Sequence, residues 1–211
     1  MVEPEQRHAA IEPAILYFGT PVVLISSLNE DGTTNIAPMS SVFWLGQNAV
    51  LGLGASGQTS ANLRRTGELV INLPTADLVG NVDRLALTTG RADVTSWKTE
   101  RGYVHVQDKF AHAGLSPAAS VTVRPQRIAE CPIQLEAVLE DWHVNRAGTH
   151  LFDVAVTKVW ALPEVRMPGH ANRIDPDAWR PLIMSFQKFY GLGSQIHPSR
   201  LATIDEELYR D

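Results

Sequence analysis

Between Asp31 and Arg64 the chain carries no charged residue. A stretch of that length without charge either enters a membrane or lines a buried interior. A spanning helix needs about 20 consecutive apolar residues, and here Asn35, Pro38, Ser40, Ser41, Gln47, Asn48 and several glycines break the run. Polar residues placed so regularly in lipid would leave hydrogen-bonding groups unmet. The stretch therefore reads as strands that line something buried. The whole chain of 211 residues, 44% hydrophobic and 19% charged, is long enough to bury a core and is expected to form one domain over 1–211. A net charge of −5 argues against nucleic acid as a partner. One cysteine, Cys131, allows no internal disulfide, and an acidic start without an apolar segment points to the cytoplasm rather than to export or a membrane.

Around the uncharged stretch the pattern is that of an antiparallel meander. Residues 9–18 set Ile11, Ala14, Ile15 and Phe18 at helical spacing, which predicts a lead-in helix closed by Gly19. Residues 21–28, 33–45, 49–53 and 68–73 read as strands, with turn signals at Asn29-Glu-Asp-Gly32 and Gly46-Gln-Asn48. A short helix is expected to close at Arg64 and Arg65, and a second over 76–87 with Leu78, Val82 and Leu85 on one face. Residues 132–144 and 150–162 form two long strands around the hairpin signal Asn145-Arg-Ala-Gly148. Residues 163–181, with four prolines and Arg166, His170, Arg173 and Arg180, read as a long loop of the kind that often serves as a lid. The fold class is thus mainly β with helical insertions, an antiparallel barrel.

The motifs of several enzyme classes are missing: no P-loop, no dinucleotide glycine fingerprint, no H-E-x-x-H and no nucleophile elbow. The seven histidines show no metal-ligand spacing, so no metal site is expected. Two segments carry the positive signal. In Asn35-Ile-Ala-Pro-Met-Ser-Ser41 a proline inside a strand implies an edge whose backbone groups are left unpaired and can read a planar heterocycle. In Ser56 to Asn62, hydroxyls and an amide gather at a helix start, where free N–H groups and the helix dipole favour an anion such as phosphate. Together they describe a nucleotide site. On spacing alone the plainer alternative stands beside it, with Ser56 or Thr59 capping the helix and Pro38 ending an edge strand.

Beyond these patterns the chain resembles the flavin reductase-like proteins of the FMN-binding split-barrel fold. The resemblance rests on Pro21-Val-Val-Leu-Ile-Ser-Ser, Asp31-Gly32, Asn35-Ile-Ala-Pro-Met-Ser, Thr59-Ser-Ala-Asn-Leu-Arg-Arg-Thr-Gly-Glu-Leu-Val-Ile-Asn-Leu-Pro74, Asp108-Lys-Phe110 with Ala113-Gly-Leu115, Glu130-Cys-Pro-Ile-Gln-Leu-Glu136, Gly148-Thr-His150 and Tyr190-Gly-Leu-Gly193, all in family order. It implies a split barrel in which the strand from Asn35 to Val42 lines the flavin ring, with Asn35, Ala37, Pro38, Met39, Ser40 and Ser41 nearest. Ser56, Thr59, Ser60 and Asn62 would hold the ribityl chain and phosphate. It further implies a homodimer, FMN or FAD as the flavin, NADH or NADPH as co-substrate, and a partner flavin-dependent monooxygenase that receives reduced flavin. Two departures stand out: Gly148-Thr149-His150 where family reductases often have Gly-Asp-His, and Gly46-Gln-Asn48 where many have Asp-Pro-Pro.

The expected function is therefore an NAD(P)H-dependent flavin reductase in which His150 is the catalytic side chain beside the nicotinamide. Two alternatives are a flavoprotein that keeps FMN and acts on a small organic substrate held under loop 163–181, and a flavin-binding protein without turnover. The five tryptophans read as core or interface residues, with Trp44, which follows the ring-binding strand, the best exception; Arg64 and Arg65 read as charges suited to a helix C-terminus, though either could reach the phosphate; and Cys131 reads as a buried small hydrophobe.

Overall fold

A computed structural model describes residues 8–209. Its strands and helices run in chain order from Thr20–Pro21 (β1), Val23–Leu28 (β2), Thr34–Met39 (β3), Val42–Leu45 (β4) and Asn48–Gly54 (β5) to Gln58–Thr66 (α1) and Glu68–Leu73 (β6). Next come Val79–Ala86 (α2), Thr88–Thr89 (β7), Ser96–Thr99 (α3), Val104–His105 (β8), Lys109–Ala113 (α4), Pro117–Ala118 (β9) and Arg127–Ile128 (β10). The long hairpin Ile133–Val144 (β11) and Thr149–Ala161 (β12) follows, then Leu182–Ser185 (β13) and Lys188–Gly191 (β14).

Seven strands form one antiparallel sheet in the order β3-β2-β6-β11-β12-β5-β4. Its two edge strands, β3 and β4, are consecutive in the chain and separated only by Ser40 and Ser41. Two residues span about 7 Å at full extension, so the sheet must roll until its edges meet at that corner. Among the described residues no ladder joins β3 to β4, and the roll stays open along the rest of that seam. The fold is mainly β with few helices.

Rolling the sheet creates two cores, and β2 serves both. Val23 and Ile25 point inward with Leu51, Leu63, Leu69, Ile71, Phe152 and Val154. Val22 and Leu24 point outward beneath α2 and α4, against Ile36, Val82, Leu85 and Phe110. A strand buried on both faces needs no polar alternation, which is why 21–28 reads as a continuous apolar run. Each fully buried Leu, Ile or Phe in these clusters contributes roughly 1.5–3 kcal/mol of transfer free energy. Cys131 lies in the second core, where burial pushes its thiol up and leaves it a small apolar side chain.

One expectation needs correction, and one unassigned segment proves regular. Residues 9–18 form no helix. Pro13 removes a backbone donor in the middle of the segment, and Ile11, Leu16 and Phe18 are exposed, so the helical spacing has no surface to pack on. Residues 182–191, unassigned in the sequence, fold into the β13–β14 hairpin, whose first strand pairs with β1. Residues 163–181 are irregular as expected, but anchored: Val165 is buried, and Ile174 and Trp179 pack against the inner core.

Candidate functional site

Because β3 pairs only with β2, one row of its backbone groups faces away from the sheet. Nζ of Lys109 donates to the carbonyl of Ile36 at 2.8 Å, which identifies Ile36 as an outward residue. Backbone direction alternates along a strand, so Pro38 shares that outward row, and its missing N–H removes no ladder bond. Along this free edge runs a trough made of two adjoining cavities of about 390 and 440 Å³. Tyr17, Pro38, Met39 and Tyr103 line both and mark where they join.

At one end of the trough stands the start of α1. Gly57 is its N-cap and no side chain caps it, so the N–H groups of Gln58, Thr59 and Ser60 have no intrahelical partner. This answers the capping alternative: the hydroxyls of Ser56 and Thr59 do not cap the helix. Nδ2 of Asn35 donates to Oγ1 of Thr59 at 3.0 Å, tying the strand edge to the helix start. Oδ1 of Asn35 is buried without a partner, and a β-carbon at Gly90 would collide with it. Glycine at 90 thus leaves room for that oxygen in a narrow cradle.

The same end is cationic. Lys98 and Lys109 line it, and Arg91 reaches the carbonyl of Ser56 at 3.4 Å. Lys109 is only 3% exposed and makes no ion pair among the described residues. Burial, reinforced by the nearby charge of Lys98, lowers its ammonium to about 8. Burial and then Arg91 lower Lys98 in the same direction. No Asp or Glu lines this cavity. Cations gathered in this way without a carboxylate give this end a positive lining that would suit an anion.

The other end is mainly apolar, with Asp83 its one charged lining residue. Val22, Met39, Val82, Leu87, Met184 and Phe189 line it, beside Ser40 and Ser41 at the corner where the sheet edges meet. An anion pocket, an unpaired backbone edge and an apolar slot in line fit a molecule with a phosphate tail and a flat ring, as flavin mononucleotide is.

Asn35, Ala37, Pro38, Met39, Ser40, Ser41, Ser56, Thr59 and Ser60 all line the trough. Two of the residues expected there do not. The amide of Asn62 is spent elsewhere: it accepts from Gln58 at 2.9 Å and donates to Ser27 at 3.1 Å and Asn29 at 2.9 Å, pinning α1 to β2 and its turn. His150 lies behind the helix start, 7% exposed, with Nδ1 2.8 Å from Oγ of Ser60 and its ring against Trp142 and Phe152. It touches Ser60 rather than the trough. The arginines at the end of α1 are also engaged, Arg65 with the carbonyl of Leu28 and Arg64 over the ring of Trp142. Trp44 packs against the core; Trp97, in α3, is the tryptophan that lines the trough. Among the described residues, none of 163–181 lines it. Lys98, Lys109 and Trp97 escaped sequence reasoning because only tertiary packing brings them to the trough; the signal available was Asp108-Lys-Phe110, a lysine between a helix cap and a core phenylalanine.

A family model for the flavin reductase-like domain matches residues 15–193. The chain belongs to this family. It is 41% identical over 194 residues to the uncharacterised protein YdfE of Bacillus subtilis (strain 168), covering 90% of this chain and 92% of the relative. Flavoredoxin of Desulfovibrio vulgaris (Miyazaki F) superposes with a TM-score of 0.76 at 18% identity, over 93% of this chain and all of that one (100%). Nitrilotriacetate monooxygenase component B from Bacillus cereus gives 0.70 at 18%, over 90% of this chain and 98% of its own. At these identities the structural likeness speaks for the fold. No helix among the described residues is long and apolar enough to cross a membrane.

Proposed function

We propose that the protein is a flavin-binding oxidoreductase, an NAD(P)H-dependent flavin reductase whose rolled sheet is the split barrel of its family. One observation carries the reading: the trough along β3 offers an anion pocket at one end and an apolar slot at the other, in the order that FMN needs. The N–H groups of Gln58, Thr59 and Ser60, with Lys109 and Arg91, would hold the phosphate. The outward backbone row from Ile36 to Ser40 would meet the ring edge. When bound, the flavin supplies the redox chemistry, taking a hydride from NADH or NADPH and passing electrons on. The chain's own residues supply position and a dry wall. His150 serves this arrangement from behind, holding the hydroxyl of Ser60 and through it the first turn of α1.

FAD fits the same reading, because the cationic end opens beside Trp97, which is 47% exposed. A homodimer is part of the proposal: Phe43 and Leu45 on edge strand β4 are 52% and 65% exposed, more apolar edge than a monomer leaves open. The likeness to a monooxygenase component supports an oxygenase partner that receives reduced flavin. The test is spectrophotometric. Purified protein with NADH and a tenfold excess of free FMN should consume NADH in proportion to the enzyme present, and consumption no faster than without the protein would sink the reductase reading.

A further inference from the structure

The β13–β14 hairpin turns through Phe186 and Gln187, whose φ angles are 46° and 63°. A two-residue turn of this hand needs positive φ at both central positions; Asn-Gly adopts it readily, whereas the β-carbon of an ordinary residue opposes it. Every other residue with positive φ among those described is a glycine. The strained pair is therefore an exception within this chain, and it sits at an exposed hairpin tip where an ordinary turn would serve the fold as well. Strain of this kind persists where the surrounding structure enforces it and a site uses it.

The surroundings show both. The N–H of Phe186 donates to the carbonyl of Tyr17 at 2.8 Å, and the Phe186 ring meets Phe18 edge-on with centroids 5.1 Å apart. These contacts tether the tip to the segment that carries Tyr17, a residue lining both cavities. Gln187 lines the apolar end of the trough, as do Pro38, Met39, Ser40 and Ser41 of the β3 edge. Its side-chain amide has no hydrogen-bond partner among the described residues. In a cavity walled by Val22, Met39, Val82, Met184 and Phe189 and shared with Asp83, it is a donor and acceptor held on a strained support.

We propose that the Phe186–Gln187 turn is a clamp for the flat end of the bound flavin, with the Gln187 amide as its polar contact to the ring heteroatoms. The inference rests on the flavin reading above. An amide presents a donor and an acceptor side by side, which suits a heterocycle edge that alternates carbonyl and N–H groups. A relaxed turn would re-aim the amide, so hairpin stability is given up for a fixed direction.

Riboflavin, which lacks the phosphate, isolates the ring end. Fluorescence titrations with riboflavin and FMN would compare the wild-type chain with Gln187→Ala and with the double variant Phe186→Asn/Gln187→Gly. The double variant should melt about 2–4 °C higher without ligand yet bind riboflavin about tenfold more weakly. Gln187→Ala should lose a similar factor with its melting temperature unchanged. FMN should weaken by the same factor as riboflavin, since its phosphate end is untouched. If the wild-type chain binds both ligands and neither variant shifts riboflavin affinity by more than twofold, the clamp is wrong and the flavin reading stands. If the wild-type chain binds neither, both fall.

Discussion

Nδ2 of Asn35 donates to Oγ1 of Thr59 across 3.0 Å, and both residues are buried. This bond joins the free edge of β3 to the first turn of α1 at the cationic end of the trough. Thr59→Ala should leave the Asn35 amide unsatisfied, costing about 1–3 kcal/mol of folding stability, and should weaken FMN more than riboflavin, because in the proposed site the helix start would face the phosphate. Thr59→Ser should restore both. Chemical denaturation and paired titrations read the two effects separately, and equal weakening of the two ligands would move Thr59 out of the phosphate pocket.

Asn62 is expected to behave differently. Its amide spans Gln58, Ser27 and Asn29 inside the protein, so Asn62→Ala should lower stability by about 1–3 kcal/mol and affect FMN and riboflavin alike. A selective loss of FMN would show that the amide reaches ligand after all.

His150→Ala should destabilise the chain through its lost packing on Trp142 and Phe152 and its lost bond to Ser60. Acting through Ser60, it should weaken FMN and slow NADH oxidation together, whereas a side chain that touches the nicotinamide would lower the rate and leave FMN affinity nearly unchanged. His150→Gln, which can still bond Ser60, should recover part of both.

How far the sequence reaches is visible in particular residues. The β11–β12 hairpin is legible because Asn145 to Gly148 supply turn chemistry between two strand-like runs, and the helix start is legible because its small polar residues cluster without charge. The segment 9–18 misleads because helical spacing says nothing about whether a partner surface exists. The β13–β14 hairpin is hidden because its turn uses Phe186 and Gln187 where a sequence reader looks for Asn-Gly. Asn62 and His150 have the right residue types for a site, and only tertiary contacts show that both are occupied within the protein.

Lys109 predicts a pH dependence. Its folded value of about 8 lies below the ordinary 10.5, so between those values the unfolded chain binds more protons than the native one. Stability should therefore rise with pH across about 8–10.5, as the native lysine becomes neutral at no further loss. Lys109→Met should flatten that rise in denaturant midpoints compared with the wild-type chain. FMN binding should run the opposite way, weakening as pH climbs past about 8 and the charge that would face the phosphate in the proposed site disappears. A flat affinity profile from pH 7 to 9 would place the lysine outside the anion pocket.

Glu136 predicts the acid side. Burial acts to raise its carboxyl, and the hydrogen bonds from Thr122, Trp160 and Val121 outweigh it and hold the group below the ordinary 4.5. A lowered folded value gives stability that is present above 4.5 and lost as pH falls through that value. Glu136→Gln should be less stable than wild type by about 1.5–3 kcal/mol at pH 7, and the difference should shrink steadily as the pH is lowered below 4.5. A difference that stays constant down to pH 3 would mean that the carboxylate charge adds nothing to this network.

The central claim is that the trough along β3 is a flavin site, and a direct FMN titration tests it. Flavin fluorescence followed against protein concentration at pH 7, with thermal unfolding of the same samples, should show a dissociation constant of about a micromolar or tighter and a melting temperature that rises with FMN concentration. Unchanged fluorescence together with an unchanged melting temperature at saturating FMN would contradict it.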